Sequence, residues 1–279
     1  MIDNFQCEGV WYTPDDIQDK HLGTITFSQE EGAILKIQGF FKENIQIILG
    51  EANGKLFTLY KCVYKGMRGH SPGIDKSSYY ANIVLVGAHF NKPEEIKFTE
   101  LSINYFCLDE WVDVKNFDKT SNEEEIIIKY QLNKPIDIVS IVNCDISINF
   151  ATKFSLNRKE VSLTRQTFLT LRFFEETLFE TCRNALYHLQ NFLSLVTTHH
   201  VFPTKIYGIK ENSTVECFYR MYFSPQKTTI ETDDMLFTYS LMKERLGTFL
   251  QNWFSKEELL RPIHHLYFGS LYNPALPPN

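Results

Sequence analysis

Arg183 and His188, which are separated by four residues, are the pair in this sequence best suited to chemistry. A guanidinium stabilises negative charge that develops on a phosphate, and an imidazole accepts and donates protons near neutral pH. The two residues are therefore the candidate catalytic residues. Cleavage of a phosphodiester is the reaction that such a pair would serve.

The spacing of this pair matches the Arg-x4-His signature of HEPN ribonucleases, in which the two residues usually come from two paired subunits. HEPN domains are compact helical bundles, whereas strand-like segments flank this stretch on both sides. On a regular helix the two side chains also point about 140° apart, because successive residues turn by about 100°. The alternative is structural, since both residues flank an apolar stripe, where amphipathic side chains belong. Both interpretations stay open on the residues alone.

A second candidate is a basic stretch that only Glu160 opposes. Its members are Lys153, Arg158, Lys159, Arg165 and Arg172. Basic residues at this density contact the phosphates of RNA in nucleic-acid-binding proteins. The structural alternative is a solvated strand face.

Neither a metal site nor a nucleophilic cysteine is predicted, and no cofactor is expected. The histidine pairs His199-His200 and His264-His265 are neighbours, which on a helix point about 100° apart and seldom bind one ion together. The six cysteines are widely spaced and form no Cys-x-x-Cys. They are expected to be small buried hydrophobes in a reducing compartment.

The composition indicates a sheet-rich protein of the cytoplasm. The chain has 279 residues, with 23 Phe and 14 Tyr, and a formal net charge of -6. Aromatic residues suit a half-buried pleated surface. The acidic balance argues against a general attraction to nucleic acid or to an anionic membrane, although a local basic surface is compatible with it. Residues Met1 to Asn4 carry no basic cluster and precede no apolar run, so neither a signal peptide nor membrane association is expected.

Short strands and tight turns dominate residues 1–173, which we predict to be a β-rich N-terminal domain. Segments 45–49 and 56–60 flank Asn53-Gly54, and this dipeptide predicts a hairpin. The polar stretch from Lys115 to Glu125 is expected to be a long exposed loop between two sheet segments, followed by a strand-like run from Ile126 to Leu132. Strands at this spacing predict an antiparallel sandwich or barrel.

Residues 174–279 are predicted to be a helical and mixed region with three helices, which makes the fold class α+β. Apolar residues between Glu175 and Thr198 form one stripe, which predicts an amphipathic helix packed through Leu178, Leu189, Leu193 and Val196. Two further helices are expected at about 235–253 and 256–269. Ser255 with Glu258 resembles a capping box at the start of the last one.

The order of short motifs resembles the N-terminal and middle regions of ApeA-type anti-phage defence proteins. Gly9, Trp11, Gly87, His89 and Trp111 mark the family, and turns and core packing are their expected roles. The motifs are Gly9-Val10-Trp11-Tyr12-Thr13-Pro14, Gly23-Thr24-Ile25-Thr26-Phe27, Gly32 with Leu35, Ile37 and Gly39, Ile48-Leu49-Gly50, Phe57-Thr58-Leu59, Ala81 to Phe90, Leu108-Asp109-Glu110-Trp111, Asn191-Phe192-Leu193-Ser194-Leu195 and Asn252-Trp253-Phe254.

The resemblance implies an effector of abortive infection whose catalysis resides in a C-terminal HEPN ribonuclease domain, with tRNA as its target. The sequence stops at Asn279, where that domain is expected to start, so no catalytic residue of it is carried over. The expected role of this chain is recognition or regulation of the nuclease, supplied in cis or in trans, and the chain alone is not expected to be an enzyme. Expected partners are that nuclease domain, tRNA or a phage protein, and a second copy in a homodimer. The alternative is that the chain is itself a ribonuclease using Arg183 and His188.

Overall fold

The computed structural model describes residues 4–41, 45–68, 76–220 and 230–272, and they form an α+β fold as predicted. The strands are β1 (Phe5–Thr13), β2 (Asp16–Ser28), β3 (Gly32–Gln38), β4 (Ile47–Ala52), β5 (Lys55–Arg68), β6 (Lys76–Val86), β7 (Lys97–Tyr105), β8 (Phe117–Ser121), β9 (Ile126–Tyr130), β10 (Ile136–Ser140), β11 (Cys144–Leu156), β12 (Val161–Leu178), β13 (Pro203–Lys210) and β14 (Ser213–Tyr219). The α-helices are α1 (Leu108–Val112), α2 (Phe179–Thr197), α3 (Tyr239–Met242), α4 (Leu246–Ser255) and α5 (Glu257–Tyr272).

The chain divides into two compact units, each assembled from several segments. Unit 1 comprises Met1–Leu101, Glu175–Asn184 and Thr204–Phe223. Unit 2 comprises Ser102–Phe174, Ala185–Pro203 and Ser224–Asn279. Strand β7 and helix α2 supply residues to both units. The boundary expected between residues 173 and 174 stays a prediction about domains, and β12 continues across it to Leu178.

Unit 1 is built on a six-stranded antiparallel barrel. Its strands follow the order β6-β3-β2-β1-β4-β5, and pairing of β5 with β6 closes the ring. The predicted hairpin joins β4 to β5, where Asn53 and Gly54 have φ values of 50° and 72°. Both values lie in the left-handed region that a two-residue hairpin turn demands. The barrel that the strand spacing predicted as one of two possibilities is thus observed.

Inward-facing aromatic and aliphatic side chains fill the barrel. Trp11 is fully buried, and its ring lies edge-on to Phe57 with centroids 5.8 Å apart. The indole N–H donates to the carbonyl of Gly23 at 3.1 Å, so burial leaves no unpaired donor. Gly50 faces the same ring, and a Cβ added there would lie 2.2 Å from it. The absence of a side chain at Gly50 therefore allows Trp11 to occupy the core.

In unit 2 the strands β10, β11 and β12 pair in that order, and both pairings are antiparallel. The pairing of β11 with β12 runs without a bulge from Cys144–Phe173 to Leu156–Val161. Strands β8 and β9 form a separate two-stranded hairpin, with Phe117 opposite Tyr130. The expectation of a long loop from Lys115 to Glu125 is therefore wrong. Strand β9 lies within the strand-like run expected from Ile126 to Leu132, whereas β8 was missed because its residues are exposed and only Phe117 is apolar.

The observed bounds of the helices differ from those that the apolar periodicity predicted. Leu178 is the last residue of β12 and is 43% exposed, so it does not belong to the apolar stripe of α2. The helix expected at 235–253 divides into the short α3 and α4. Ser255 ends α4, and its hydroxyl donates to the carbonyl of Asn252 at 3.4 Å, so the expected capping box is not formed. Within the described ranges, no helix has the length and apolar character needed to cross a membrane.

Candidate functional site

Helix α2 carries both candidate catalytic residues, and its apolar face determines how the helix is held. Leu186, Leu189, Leu193 and Val196 recur at helical spacing and are each at least 98% buried. Burial of this stripe fixes the orientation of the helix and therefore the positions of Arg183 and His188 on it.

Arg183 is engaged by a carboxylate of its own helix. Its guanidinium lies 2.6 Å from Glu180, one turn earlier, and Glu180 also accepts a hydrogen bond from Lys61 at 2.6 Å. All three residues belong to unit 1. Since Lys61 and Arg183 share one carboxylate, Glu180 offsets part of the positive charge there and competes with a phosphate for Arg183.

His188 is buried in a cluster of aromatic rings in unit 2. The imidazole lies 4.9 Å from the ring of Phe254, 5.9 Å from that of Trp253 and 6.2 Å from that of His264, measured between centroids. The indole of Trp253 donates to the backbone carbonyl of His188 at 3.0 Å. Helices α2, α4 and α5 therefore hold the histidine together.

The charge of His188 is set by two opposing effects. Burial lowers its pKa below the ordinary value, and His264 lowers it further. The carboxylate of Glu257, 3.5 Å from Nε2, acts in the opposite direction. Desolvation is the larger effect, so the imidazole is neutral at pH 7 and suited to accept a proton. Burial lowers the pKa of His264 in the same way.

A cleft of about 420 Å³ opens beside His188. It is lined by His188, Asn191, Glu257, Arg261, His264, His265, Phe268 and Gly269. The buried Nε2 atoms of His188 and His264 form no hydrogen bond within the described residues. Over those same residues, no three His, Cys, Asp or Glu side chains are arranged to hold a metal ion. The cleft therefore offers two neutral imidazoles beside a carboxylate.

The sequence pattern did not indicate Glu257, and Trp253 was named only within the motif Asn252-Trp253-Phe254. The pairing of His264 with its neighbour His265 in the sequence carries no sign that His264 packs against His188 and Trp253. The signal that could have found the cleft is the spacing of Glu257, Arg261, His264 and Phe268 on α5. Successive members are three or four residues apart and share one helix face.

The five basic residues do not form one surface. Lys153 on β11 is paired with Thr164, whereas the adjacent Arg165 is paired with Thr152, so the two basic side chains point to opposite faces. Arg158 and Lys159 lie at the turn between β11 and β12 and are exposed. Arg172 is exposed farther along β12, opposite Asp145. Contact of these residues with RNA stays a prediction, and only part of the set shares one region of surface.

Arg165 differs from the others because unit 2 uses its guanidinium internally. One nitrogen donates to the carbonyl of Val114 at 2.6 Å and to the side chain of Asn116 at 3.0 Å. Nε lies 3.3 Å from the carboxylate of Asp109. The guanidinium also lies over the ring of Phe150, 5.8 Å from its centroid. This arginine therefore ties the segment after α1 to the sheet.

The residues expected to mark the family lie in or beside the cores. Gly9 pairs with Ala52 between β1 and β4, and Gly87 follows β6 with a φ of 122°. His89 donates from Nε2 to the carbonyl of Gly50 at 3.0 Å. Trp111 is buried in unit 2, edge-on to Phe192 at 6.3 Å. These contacts are those of packing residues. Their role as family markers stays a prediction.

None of the cysteines whose thiol pKa departs from the ordinary value is activated as a nucleophile. Burial raises the pKa of Cys62 and of Cys144 to about 12, and it also raises the pKa of Cys107 and Cys217. All six thiols are free. A thiol with a raised pKa is protonated at neutral pH and is a weak nucleophile.

Comparison with known proteins decides the family. A family model described as ApeA N-terminal domain 1 matches residues 6–253. The chain belongs to the ApeA N-terminal domain 1 family. The resemblance drawn from the motifs is thereby confirmed, and the match assigns the chain to anti-phage defence proteins of the ApeA type. No curated protein and no solved structure matches the chain.

The ApeA match covers only part of the cleft. His188 and Asn191 lie within the matched residues, whereas Glu257 and His264 on α5 lie beyond them. The cleft thus joins residues inside the ApeA domain to a helix that follows it.

Proposed function

We propose that this chain is the recognition and regulatory part of an ApeA-type anti-phage effector and that it controls a HEPN ribonuclease domain supplied in cis or in trans. The observation that carries the proposal is the match to the ApeA N-terminal domain over residues 6–253. The cue is an infection product, such as a phage protein or an altered tRNA. The response is abortive infection in the bacterial cytoplasm.

The state of the two candidate catalytic residues supports control rather than catalysis. Arg183 is paired with Glu180, and His188 is buried among aromatic rings. A ribonuclease needs a cationic group free to meet the phosphate and a base within hydrogen-bond reach of the 2′-hydroxyl. Neither residue meets its condition without rearrangement.

The cleft beside His188 is the route by which we expect the chain to act on the nuclease. Helix α5 follows α4 almost directly, contributes Glu257 to the cleft and is the last described element. The interaction of Glu257 with His188 is therefore a contact between the ApeA domain and the helix that leads out of it. A change in this contact would alter how α5 packs, and thereby what α5 presents to a nuclease domain.

The proposal is tested by expressing the 279-residue chain in bacteria, alone and together with a C-terminal HEPN domain, and challenging the cells with phage. We expect protection from phage and loss of intact tRNA only when the HEPN domain is present. The chain alone should neither cleave tRNA nor arrest growth. Cleavage by the chain alone that is lost on His188→Ala and on Arg183→Ala would establish the alternative, in which the chain is itself the ribonuclease.

Two variants separate regulation from the alternative that the chain is a β-rich scaffold that only dimerises the nuclease. Glu257→Gln removes the charge that faces His188, whereas Glu258→Gln removes a neighbouring charge whose side chain is 94% exposed. With the HEPN domain present, Glu257→Gln should change tRNA cleavage before or after infection, and Glu258→Gln should behave as the unmodified protein. Identical behaviour of the two variants in both conditions would refute control through α5.

A further inference from the structure

One hairpin of unit 2, formed by β8 and β9, carries three adjacent carboxylates at its turn. We name residues 117–130 the acidic hairpin. Glu123, Glu124 and Glu125 are exposed, and within the described residues none of them forms an ion pair. The backbone N–H groups of Glu124 and Glu125 donate to the side chain of Asn122 at 2.9 and 2.8 Å, which fixes the turn. The glutamate side chains are not needed for that turn.

The end of the β11–β12 pair carries the opposite charge. We name residues 152–161 the basic hairpin. Arg158 and Lys159 lie at its turn, and Lys153 lies on β11 before that turn. Glu160 is the one acidic residue of the basic hairpin. Asn157 closes this turn as Asn122 closes the other, since it accepts hydrogen bonds from the N–H groups of Lys159 and Glu160, both at 2.9 Å.

Both hairpins also expose large apolar side chains. The side chains that are more than half exposed are Phe117, Ile126, Ile128, Phe154, Leu156 and Val161. Contiguous exposed apolar surface on a soluble protein marks an interaction site. The hydroxyls of Tyr130 and Thr152 share a hydrogen bond at 3.0 Å, so the acidic hairpin is anchored against β11 beside the basic one. The bases of the two hairpins therefore meet in unit 2, where Phe117 lies opposite Tyr130.

We propose that the acidic and basic hairpins of unit 2 form a binding surface for a second copy of this chain, with the acidic hairpin of each copy on the basic hairpin of the other. A two-fold interface is self-complementary, because residue i of one copy meets residue j of the other and the reverse. A chain that carries both signs of charge on neighbouring hairpins meets this condition with no further partner. The exposed apolar side chains form the centre of the interface, and the charges set its register.

A nucleic acid would fit this surface less well. Phosphates would be attracted to Arg158 and Lys159 but repelled by the three glutamates, and they would leave the isoleucines of β9 exposed. A second copy covers the apolar groups and neutralises both turns. The proposal goes beyond the proposed function and does not rest on it, because it concerns the purified chain without a nuclease.

The test uses analytical ultracentrifugation of the full 279-residue chain over a range of protein and salt concentrations. Glu123→Lys with Glu124→Lys reverses the acidic turn, and Arg158→Glu with Lys159→Glu reverses the basic turn. The matched control is Glu30→Lys with Glu31→Lys, which makes the same charge change as the acidic reversal at the exposed turn between β2 and β3. Thermal melts that match the unmodified chain establish that each variant folds.

We expect the unmodified chain to dimerise, with an affinity that falls as salt rises because exposed charges are screened. Each reversal should raise the dissociation constant of the dimer by about tenfold or more, since attraction at both turns becomes repulsion. An equimolar mixture of the two reversed variants should regain dimers, since reversed charges then complement each other. The control should dimerise as the unmodified chain does.

Three results would overturn the proposal. The first is a chain that stays monomeric at every concentration reached. The second is a dimer that neither reversal weakens, or that the mixture of the two variants does not regain. The third is a monomeric chain that binds tRNA and loses that binding on reversal of Arg158 and Lys159, which would assign the basic hairpin to nucleic acid.

Discussion

Arg165 offers the sharpest test of how unit 2 uses its basic residues. The sequence pattern grouped Arg165 with residues that contact RNA, whereas the structure binds its guanidinium to Val114, Asn116 and Asp109. Arg165→Met keeps much of the aliphatic length of the side chain and removes all three interactions. Arg158→Met is the matched control, because Arg158 is exposed at a turn and forms no ion pair within the described residues.

The expected loss of stability follows from the partners of Arg165. Its side chain is 15% exposed, so its hydrogen bonds to the Val114 carbonyl and to Asn116 form largely away from solvent. A hydrogen bond to a charged group contributes about 1.5–3 kcal/mol, and such values are not additive within one network. Asp109 is 38% exposed, so solvent screens its interaction with Arg165 and we assign little to it. We expect Arg165→Met to lower the free energy of unfolding by about 3 kcal/mol, and Arg158→Met to change it by less than about 0.5 kcal/mol.

Urea unfolding followed by circular dichroism measures both changes, and a tRNA titration at several salt concentrations measures any role in binding. If Arg165 is structural, the slope of affinity against salt is the same in Arg165→Met as in the unmodified chain. A contact to a phosphate would instead lower that slope by about one. Unfolding energies that agree within about 0.5 kcal/mol for the two variants would refute the internal role of Arg165.

Three further predictions concern the cores. Leu189→Asp should lower the free energy of unfolding by several kcal/mol, measured by urea unfolding, because it places a charge without a partner in a fully buried position. Gly50→Ala should lower the thermal midpoint of unfolding by several degrees, since its Cβ would overlap Trp11. Gly54→Ala lies in an open turn and should lower the free energy of unfolding by only about 1 kcal/mol, because of its positive φ. Burial lowers the pKa of His188 in the folded chain, so the unfolded chain binds more protons below its ordinary pKa of about 6.5. Stability should therefore fall as pH drops from about 6.5 towards that lowered pKa, and His188→Gln should flatten the dependence in melts recorded at successive pH values.

Local chemistry was enough to predict a sandwich or barrel at the N-terminus and the main helix. The Asn53-Gly54 turn demands positive φ at both residues, and the chain has few other ways to meet that demand. The stripe through Leu186, Leu189, Leu193 and Val196 has helical spacing, and all four residues are buried. Such signals are carried by residues close together in the chain, so they can be read without knowing the tertiary structure.

The surroundings of His188 could not be predicted in this way. Trp253, Glu257 and His264 reach it from α4 and α5, more than sixty residues along the chain. No local pattern encodes a meeting of that kind, because it depends on how the helices pack. The internal role of Arg165 was hidden for the same reason, since Asp109 and Asn116 lie about fifty residues before it.

Strand β8 of the acidic hairpin was missed for a different reason, whereas β9 lies within the strand-like run expected from Ile126 to Leu132. Strand prediction relies on apolar residues, and β8 has only Phe117, while β9 has exposed isoleucines on both faces. An exposed strand of this composition favours association with another chain, and isolated two-stranded hairpins are marginally stable in water.

In unit 1 the buried aromatic residues of the barrel are explained by packing alone. In unit 2 the exposed isoleucines and the buried, neutral His188 both cost stability within the single chain. Features that cost stability without a packing benefit are expected where a protein binds or switches. We therefore expect substitutions at the two hairpins to alter assembly and those at the cleft to alter control of the nuclease, with the barrel serving mainly to hold the fold.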